Sequence, residues 1–425
     1  GAGSGSGAMT GGAQSGTQSG GTQSGGAGGA NGTSSGGTGG AAACPAAALL
    51  GSLGEDHLLA GATMEDATAA SAPFDARYVY ISGGLFDGAD PCASCATSCS
   101  SHGTSCANSA GGCAWWGCYQ YDQNPPGEYV RDFVATAQQN HQIPLFTYYE
   151  ILQASGASEG MGEVQAANDA NFMARYFADF RFLLQQIGQN VAMIHHEPDF
   201  WGYCEQANSN PHMTPAAVAS GNPTDCGGQE NSIAGLGQCI VAMTRMYAPN
   251  AKIGLHGSGW GTNMDVLENT DPSFDVTGEA QKLGDFLKAC GADQGDMVVV
   301  DASDRDAGYY QQMGRQTWWD ATNATLPNFH QAFAWAKALS DDVGKPVVWW
   351  QLPVGNMSGD NSPNHYQDNR VDYFFAHTDE LAASGAAGML FGAGQGDQTT
   401  PETDGGNLVS KVQAYEAAGG QAACQ

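Results

Sequence analysis

Short, almost continuously apolar runs alternate with longer segments of helical periodicity seven times along this chain. The runs are Tyr78–Ser82, Ile143–Tyr149, Val191–His196, Lys252–His256, Met297–Asp301, Pro346–Gln351 and Gly388–Phe391. Each is rich in Val, Ile, Tyr, Trp or Met and has no polar alternation, the pattern of parallel strands covered on both faces. Between and after them the spacing predicts helices over Glu128–Gln139, Ala166–Gln186, Asn231–Tyr247, Glu279–Ala289, Asn328–Ser340, Asn369–Ala383 and Gly406–Ala417. In the second of these, Phe172, Tyr176, Phe177, Phe180 and Leu184 share one helical face. Strand then helix, repeated, predicts an α/β fold with a parallel sheet. No glycine-rich nucleotide fingerprint follows the first strand, so a closed (β/α) barrel of seven or eight parallel strands suits the pattern better than an open sheet. The eighth strand would lie in the weakly patterned stretch from Leu53 to Thr63; a distorted seven-stranded barrel is the alternative.

Two regions fall outside the alternation. Residues 1–43 hold almost only Gly, Ser, Thr, Ala and Gln, with Met9 the one larger apolar residue. Such a segment buries too little surface to offset its ordering entropy, so a disordered, flexible linker is expected, with the barrel domain spanning 44–425. Six of the 12 cysteines crowd into Cys92, Cys95, Cys99, Cys106, Cys113 and Cys118 among small polar residues. A disulfide-rich insertion over residues 90–120 is the natural reading, and it implies an oxidising compartment. Cys92 and Cys95 form a C-x-x-C, but no second pair has matching spacing, so disulfides are favoured over a zinc knuckle.

The 425 residues carry 14 Lys and Arg against 43 Asp and Glu, a net charge of −29. That field repels nucleic acid and anionic membranes and disfavours polyanionic substrates; a neutral polysaccharide fits it. No apolar run is long enough for a membrane span. The glycine at position 1 and the linker are in keeping with a mature secreted or surface-tethered product whose export signal was removed. The chain is expected to act as a monomer without a cofactor.

In a barrel, function collects where strands end. The strand ends here read Tyr148-Tyr149-Glu150, His195-His196-Glu197-Pro198-Asp199, His256-Gly257-Ser258-Gly259-Trp260, Asp301-Ala302-Ser303-Asp304-Arg305-Asp306, Trp349-Trp350-Gln351 and Phe391 through Asp397. Carboxylates beside aromatic rings are what glycosidic bond cleavage needs: one group protonates the leaving oxygen, another activates water or attacks the sugar, and rings stack on sugar faces. Residues i and i+2 on a strand point the same way, so Glu197 and Asp199 would both face the cleft unless Pro198 splays them. Glu197, flanked by Phe200 and Trp201, is the first choice for the acid, with Asp199 the alternative. Asp301 and Asp304 supply the base. Gln351 stands where many retaining barrels carry a nucleophilic Glu, which leans toward inversion. Glu150, Tyr149, His195, Trp201, Tyr203, Trp260, Trp350, Gln351 and Asp397 complete the expected substrate site.

Bland roles compete with each of these. A Glu after a strand also caps helices, and a buried histidine is often only a satisfied core residue. An Asp-rich turn also binds calcium, but Asp301–Asp306 lacks EF-hand spacing. His195, His196, Glu197, Asp199 and His256 include metal-ligand types, yet adjacent histidines on a strand point to opposite faces, so no metal is expected. Gly156-Ala157-Ser158-Glu159-Gly160 matches the nucleophile elbow of α/β-hydrolases but lies beyond its strand and lacks an oxyanion motif.

Glu197-Pro198-Asp199 after an apolar strand resembles the E-P-D motif of the inverting cellulases of glycoside hydrolase family six. The resemblance implies that Asp199 is the general acid. Asp301–Asp306 is faintly similar to that family's P-x-R-D-C signature, but it follows E-P-D, lacks the Pro and has Ala307 in place of the Cys. His196-Glu197 resembles the H-E of clan A barrels, which implies that Glu197 is the acid. The expectation is a secreted glycoside hydrolase acting on a neutral polysaccharide, a β-glucan such as cellulose, with inversion favoured. The alternatives are a non-catalytic carbohydrate-binding or surface protein and a serine esterase using Ser158.

Overall fold

The computed structural model describes residues 44–85, 116 and 126–423. The proposed linker and, apart from Trp116, the cysteine-rich insertion lie outside the described residues. Eight strands form a closed, all-parallel barrel: β1 (Leu59–Ala62), β2 (Ala76–Ile81), β3 (Ile143–Tyr148), β4 (Met193–His196), β5 (Lys252–His256), β6 (Met297–Asp301), β7 (Val347–Leu352) and β8 (Ala386–Phe391). Each strand pairs with its neighbours in sequence, and β1 closes the ring on β8. The eight-strand reading of the sequence therefore holds, and the hidden strand lies inside the 53–63 window.

β1 has the sequence Leu-Ala-Gly-Ala because the barrel is tight there. A Cβ on Gly61 would sit 2.4 Å from the Ala76 carbonyl oxygen and 2.7 Å from Leu390 Cδ2. Across the closure, a Cβ on Gly388 of β8, the register partner of Leu59, would meet Leu59 Cβ at 2.9 Å. Small residues let the seam close and remove the β-branched signature by which strands are usually read.

The strands' outward residues bury against a layer of helices. Trp349 packs edge-on against Phe333 of helix Phe329–Val343 and against Phe374 of helix Arg370–Ala376. Tyr148 and His196 meet Tyr176 and Phe180 of helix Ala170–Ile187. That long helix starts where Asp169 accepts hydrogen bonds from the amides of Asn171 and Phe172. Its predicted apolar face is buried; the helix starts at Ala170, four residues after the predicted Ala166, which instead ends a separate short helix, Met161–Ala166. Asn369–Ala383 is likewise broken in two at His377.

The lumen is filled by Tyr78, Tyr80, His195, His256 and Trp350, which touch one another. His195 and His256 are completely buried there. A disulfide joins Cys226 to Cys239 across the start of helix Ile233–Tyr247; Cys204 and Cys290 are buried free thiols. Among the described residues no helix is long and apolar enough to cross a membrane.

Candidate active site

The C-terminal rim of the barrel bends sharply at two strands. At the end of β4, Glu197 has φ 48° and Asp199 φ 64°, left-handed values that non-glycine residues adopt only where the surroundings fix them. At β7, Gln351 has φ 52° and the register with β8 shifts between Trp349 and Leu352. This bulge lets the consecutive residues Trp350 and Gln351 both reach the lumen side.

The bend at Glu197 breaks the i, i+2 alternation. Glu197 turns toward the helix layer, where it is completely buried. Its Oε1 accepts from the amides of Glu150 (3.0 Å) and Ile151 (3.1 Å) and from the Tyr176 hydroxyl (2.9 Å). Burial pushes its pKa up to about 8, against the pull of those three donors. The expectation that Glu197 faces the cleft is corrected: it ties the end of β4 to the start of the short helix after β3.

Asp199 turns the other way and is half-buried at the mouth of the lumen. Desolvation raises its pKa to about 7; His256 opposes the rise, and the charges of Asp301, Glu159 and Asp304 add to it. Asp199, Asp301 and Asp304 also raise the pKa of the Tyr80 phenol, itself held up first by burial. The three acids thus surround one lumen tyrosine. Tyr80 donates a hydrogen bond to Gln351 Oε1. Tyr149, also partly exposed, feels Asp199 as the first charge after its own burial.

Asp301 and Asp304 differ in their surroundings. Asp301, at the tip of β6, lies 3.3 Å from His256 Nε2 and is 19% exposed. Asp304 is 41% exposed, pairs with Arg305 and accepts from the Tyr310 hydroxyl. Asp306 is a clamp: its carboxylate accepts from the amides of Gly355 and Thr399, tying the loops after β6, β7 and β8 together.

Above the acids, Tyr203 and Trp260 form a tilted pair with ring centroids 4.7 Å apart, both partly exposed. The Tyr203 hydroxyl donates to Glu159 Oε1 at 2.7 Å. Gly202 makes room for this pair, since a Cβ there would meet Ser258 Oγ at 2.7 Å and the Trp260 ring at 2.8 Å.

Other expected site residues sit elsewhere. Trp201 is completely buried and donates its indole N–H to the His196 carbonyl at 3.0 Å, so it has no ring face for a ligand. Glu150 is fully buried on the helix side, where its charge bears on Tyr148 and Tyr176. His195 lies beneath the rim, under the Trp350 ring at 4.5 Å between centroids. Trp350 is 3% exposed, a lumen floor rather than an open platform. Asp397 is exposed and accepts from the Gln398 side chain. His195 points into the lumen, whereas His196 points outward and hydrogen-bonds the Tyr176 hydroxyl at 2.8 Å. Ser158 is exposed and has no histidine partner among the described residues.

Three residues at the site escaped the sequence reading. Tyr80 was legible as the lumen-side partner of Tyr78 at strand spacing. Glu159 drew notice only as part of the serine motif. Glu163 carries no local signal; it is fully buried, and desolvation raises its pKa to about 7, with Asp199 adding to the rise.

No protein-family model matches the chain, and no curated protein matches it. Among solved structures, it is similar to a modular endo-β-1,4-mannanase of glycoside hydrolase family 26 from Cellulomonas fimi, with 14% identity over 88% of this chain and 74% of that one and a TM-score of 0.45. It is similar to the endoglucanase Cel6 from Mycobacterium tuberculosis at 13% identity over 53% and 56% of the chains, TM-score 0.31. It is also similar to the carboxyl transferase domain of pyruvate carboxylase from Rhizobium etli, at 10% identity over 88% and 49%, TM-score 0.36. A fold does not fix a function, and the functional reading rests on the site itself.

Proposed function

We propose that this protein is a glycoside hydrolase with Asp199 as general acid and Asp301 as the partnering carboxylate. The observation that carries the reading is the placement of Asp199: a half-buried carboxyl at a barrel strand's C-terminal end, with its pKa raised to about 7 and with two further acids near it. A carboxyl in that state keeps its proton near neutrality and can give it to a leaving glycosidic oxygen. Tyr203 and Trp260 supply apolar ring faces at the rim, and Gln351, Tyr149 and Tyr80 supply groups that read hydroxyls.

With Gln351 rather than a carboxylate on β7, direct attack by water is the favoured course, which makes the enzyme inverting. Asp301 accepts the proton of the attacking water as its oxygen bonds the anomeric carbon; Asp199 protonates the departing oxygen. The substrate class is a neutral polysaccharide, a β-glucan such as cellulose first, because the net charge of −29 opposes acidic polymers. The Cys226–Cys239 disulfide fits export to an oxidising compartment, and the enzyme is proposed to act as a monomer.

Reducing-sugar release from a panel of β-glucans, β-mannans and β-xylans tests the proposal, with Asp199→Asn as the control. Release that Asp199→Asn abolishes supports it. Binding to a polysaccharide without release, equal in both proteins, would point to a carbohydrate-binding barrel instead. The anomer of the first product, followed by NMR, separates inversion from retention.

A further inference from the structure

The bottom of the barrel, opposite the rim, holds a second cluster of ionisable groups. Glu55 and His57 precede β1, Asp75 precedes β2, and Glu416 lies on the last helix, Asn407–Ala417. One ligand atom from each of Glu55, His57 and Asp75 lies within 4.8 Å of the other two. His57 Nε2 stands 3.3 Å from Asp75 Oδ1 and 3.4 Å from Glu416 Oε1. Neither contact is a hydrogen bond: His57 Nε2 and Glu416 Oε1 are shut off from solvent and have no hydrogen-bond partner. Asp75 is only 7% exposed, and the Ala60 amide takes its Oδ2 at 2.7 Å, which leaves Oδ1 on the side of the imidazole.

We infer that Glu55, His57, Asp75 and Glu416 form a structural site for one divalent transition-metal ion, zinc first. The spacing is that of a coordination shell. Atoms held about 2.05 Å from a tetrahedral zinc stand about 3.3 Å apart, the edge of the tetrahedron. The separations of 3.3 and 3.4 Å match that edge, and both exceed the roughly 2.7–3.2 Å of an N–H···O hydrogen bond. The ring is also oriented for the task. His57 Nδ1 lies 3.0 Å from Asp56 Oδ1; a carboxylate accepts, so Nδ1 carries a proton and Nε2 is the nitrogen turned to the cluster. A carboxylate behind the ring is the usual partner of a metal-bound histidine.

Charge points the same way. Glu55, Asp56, Asp75 and Glu416 all bear on the imidazole, and among the described residues no Lys or Arg forms an ion pair with any of them. A proton on the ring adds one positive charge, whereas a divalent ion sets two amid the carboxylates. The nitrogen ligand favours zinc over calcium or magnesium, which take oxygen.

The C-terminal segment roofs the site. Gly420 passes so close to the imidazole that a Cβ there would meet His57 Cδ2 at 2.5 Å. The Tyr415 hydroxyl donates to the Leu58 carbonyl at 2.8 Å and accepts from the Gln421 amide at 2.9 Å. An ion here ties the starts of β1 and β2 to the last helix, so it clamps the first strands to the end of the chain. The bottom face of such barrels serves stability, and the inference is independent of the reaction at the rim.

The test is calorimetric titration of zinc chloride into the full chain stripped with EDTA, with thermal melting alongside. Wild-type protein should bind one zinc per chain at this site. His57→Ala and Glu416→Gln should each weaken that binding at least about a hundredfold, and Asp56→Asn, which touches only the far nitrogen, about tenfold. Wild-type melting should rise by about 3–5 °C at a hundredfold excess of zinc over Kd, and should not rise in the two ligand variants. Glu416→Gln puts an amide of the same shape at a partly exposed position, so it keeps the test open if His57→Ala fails to fold. Cobalt(II) in place of zinc should show no thiolate-to-metal absorption, which separates this site from the cysteine-rich segment. No zinc uptake, uptake unchanged in both ligand variants, a thiolate band, or calcium or magnesium bound more tightly than zinc would overturn the inference.

Discussion

Replacing Asp199 by Asn should remove turnover and at the same time stabilise the fold. The folded-state pKa of Asp199 is raised from 3.8 to about 7, because ionising it in the half-buried rim beside other acids is unfavourable. The unfolded chain ionises the same group near 3.8, so between those values the folded state holds more protons and stability falls as pH rises. Linkage puts the contribution at about 1 kcal/mol of destabilisation by pH ~4.5 and about 4 kcal/mol by pH ~7.5. Asp199 is partly exposed, and solvent screening halves the upper figure to about 2 kcal/mol. Asparagine has the same shape and no charge, so it relieves the whole term. Urea unfolding of both proteins across that pH range measures it: the variant should match the wild type near pH ~4 and exceed it by about 2 kcal/mol near neutrality. A variant less stable at neutral pH, or a gap that does not widen with pH, refutes the view that Asp199 is held protonated by its surroundings.

The other predictions concern neighbouring groups. Turnover should fall as pH rises through about 7, the value of Asp199, because the acid form is lost; a profile flat across that range would exclude Asp199 as the acid. Glu197→Gln should keep the fold within about 1 kcal/mol, since Glu197, with a pKa of about 8, is protonated at neutrality and the amide oxygen still accepts; Glu197→Ala strands three donors and should cost about 3–5 kcal/mol, both read by thermal melting. Trp260→Ala should weaken oligosaccharide binding about tenfold by calorimetry with melting unchanged, whereas Trp201→Ala, which empties a fully buried site, should cost about 3–5 kcal/mol of stability. Removing the Cys226–Cys239 bridge, which spans 13 residues, should lower stability by about 3 kcal/mol, measured as the unfolding difference between the Cys226→Ala/Cys239→Ala variant and the wild type.

The barrel was largely legible because seven of its strands are nearly continuous apolar runs, broken mainly by the lumen's histidines and tyrosines, as a parallel sheet buried on both faces favours. β1 was not legible as a strand, since Leu-Ala-Gly-Ala carries neither periodicity nor β-branching; the close approach of Ala76 of β2 and Leu390 of β8 selects glycine at position 61, and part of that pressure comes from the far end of the chain. The division of labour at the end of β4 was hidden for a related reason. Strand periodicity assigns Glu197 and Asp199 to one face, and only the left-handed turns at both residues separate them. What holds Glu197 in that turn is remote in sequence: the amides of Glu150 and Ile151 and the hydroxyl of Tyr176, all of which need its carboxyl as an acceptor. The backbone strain at the two residues, about 1–3 kcal/mol each, is opposed by those three hydrogen bonds. The same bonds anchor the chain on one side of Pro198 and leave Asp199 to emerge on the other, toward the acids of β6. A motif search finds E-P-D and ranks its members by analogy; the geometry separates them, with the first carboxyl buried as an anchor and the second left at the lumen mouth, where the proposed acid must stand.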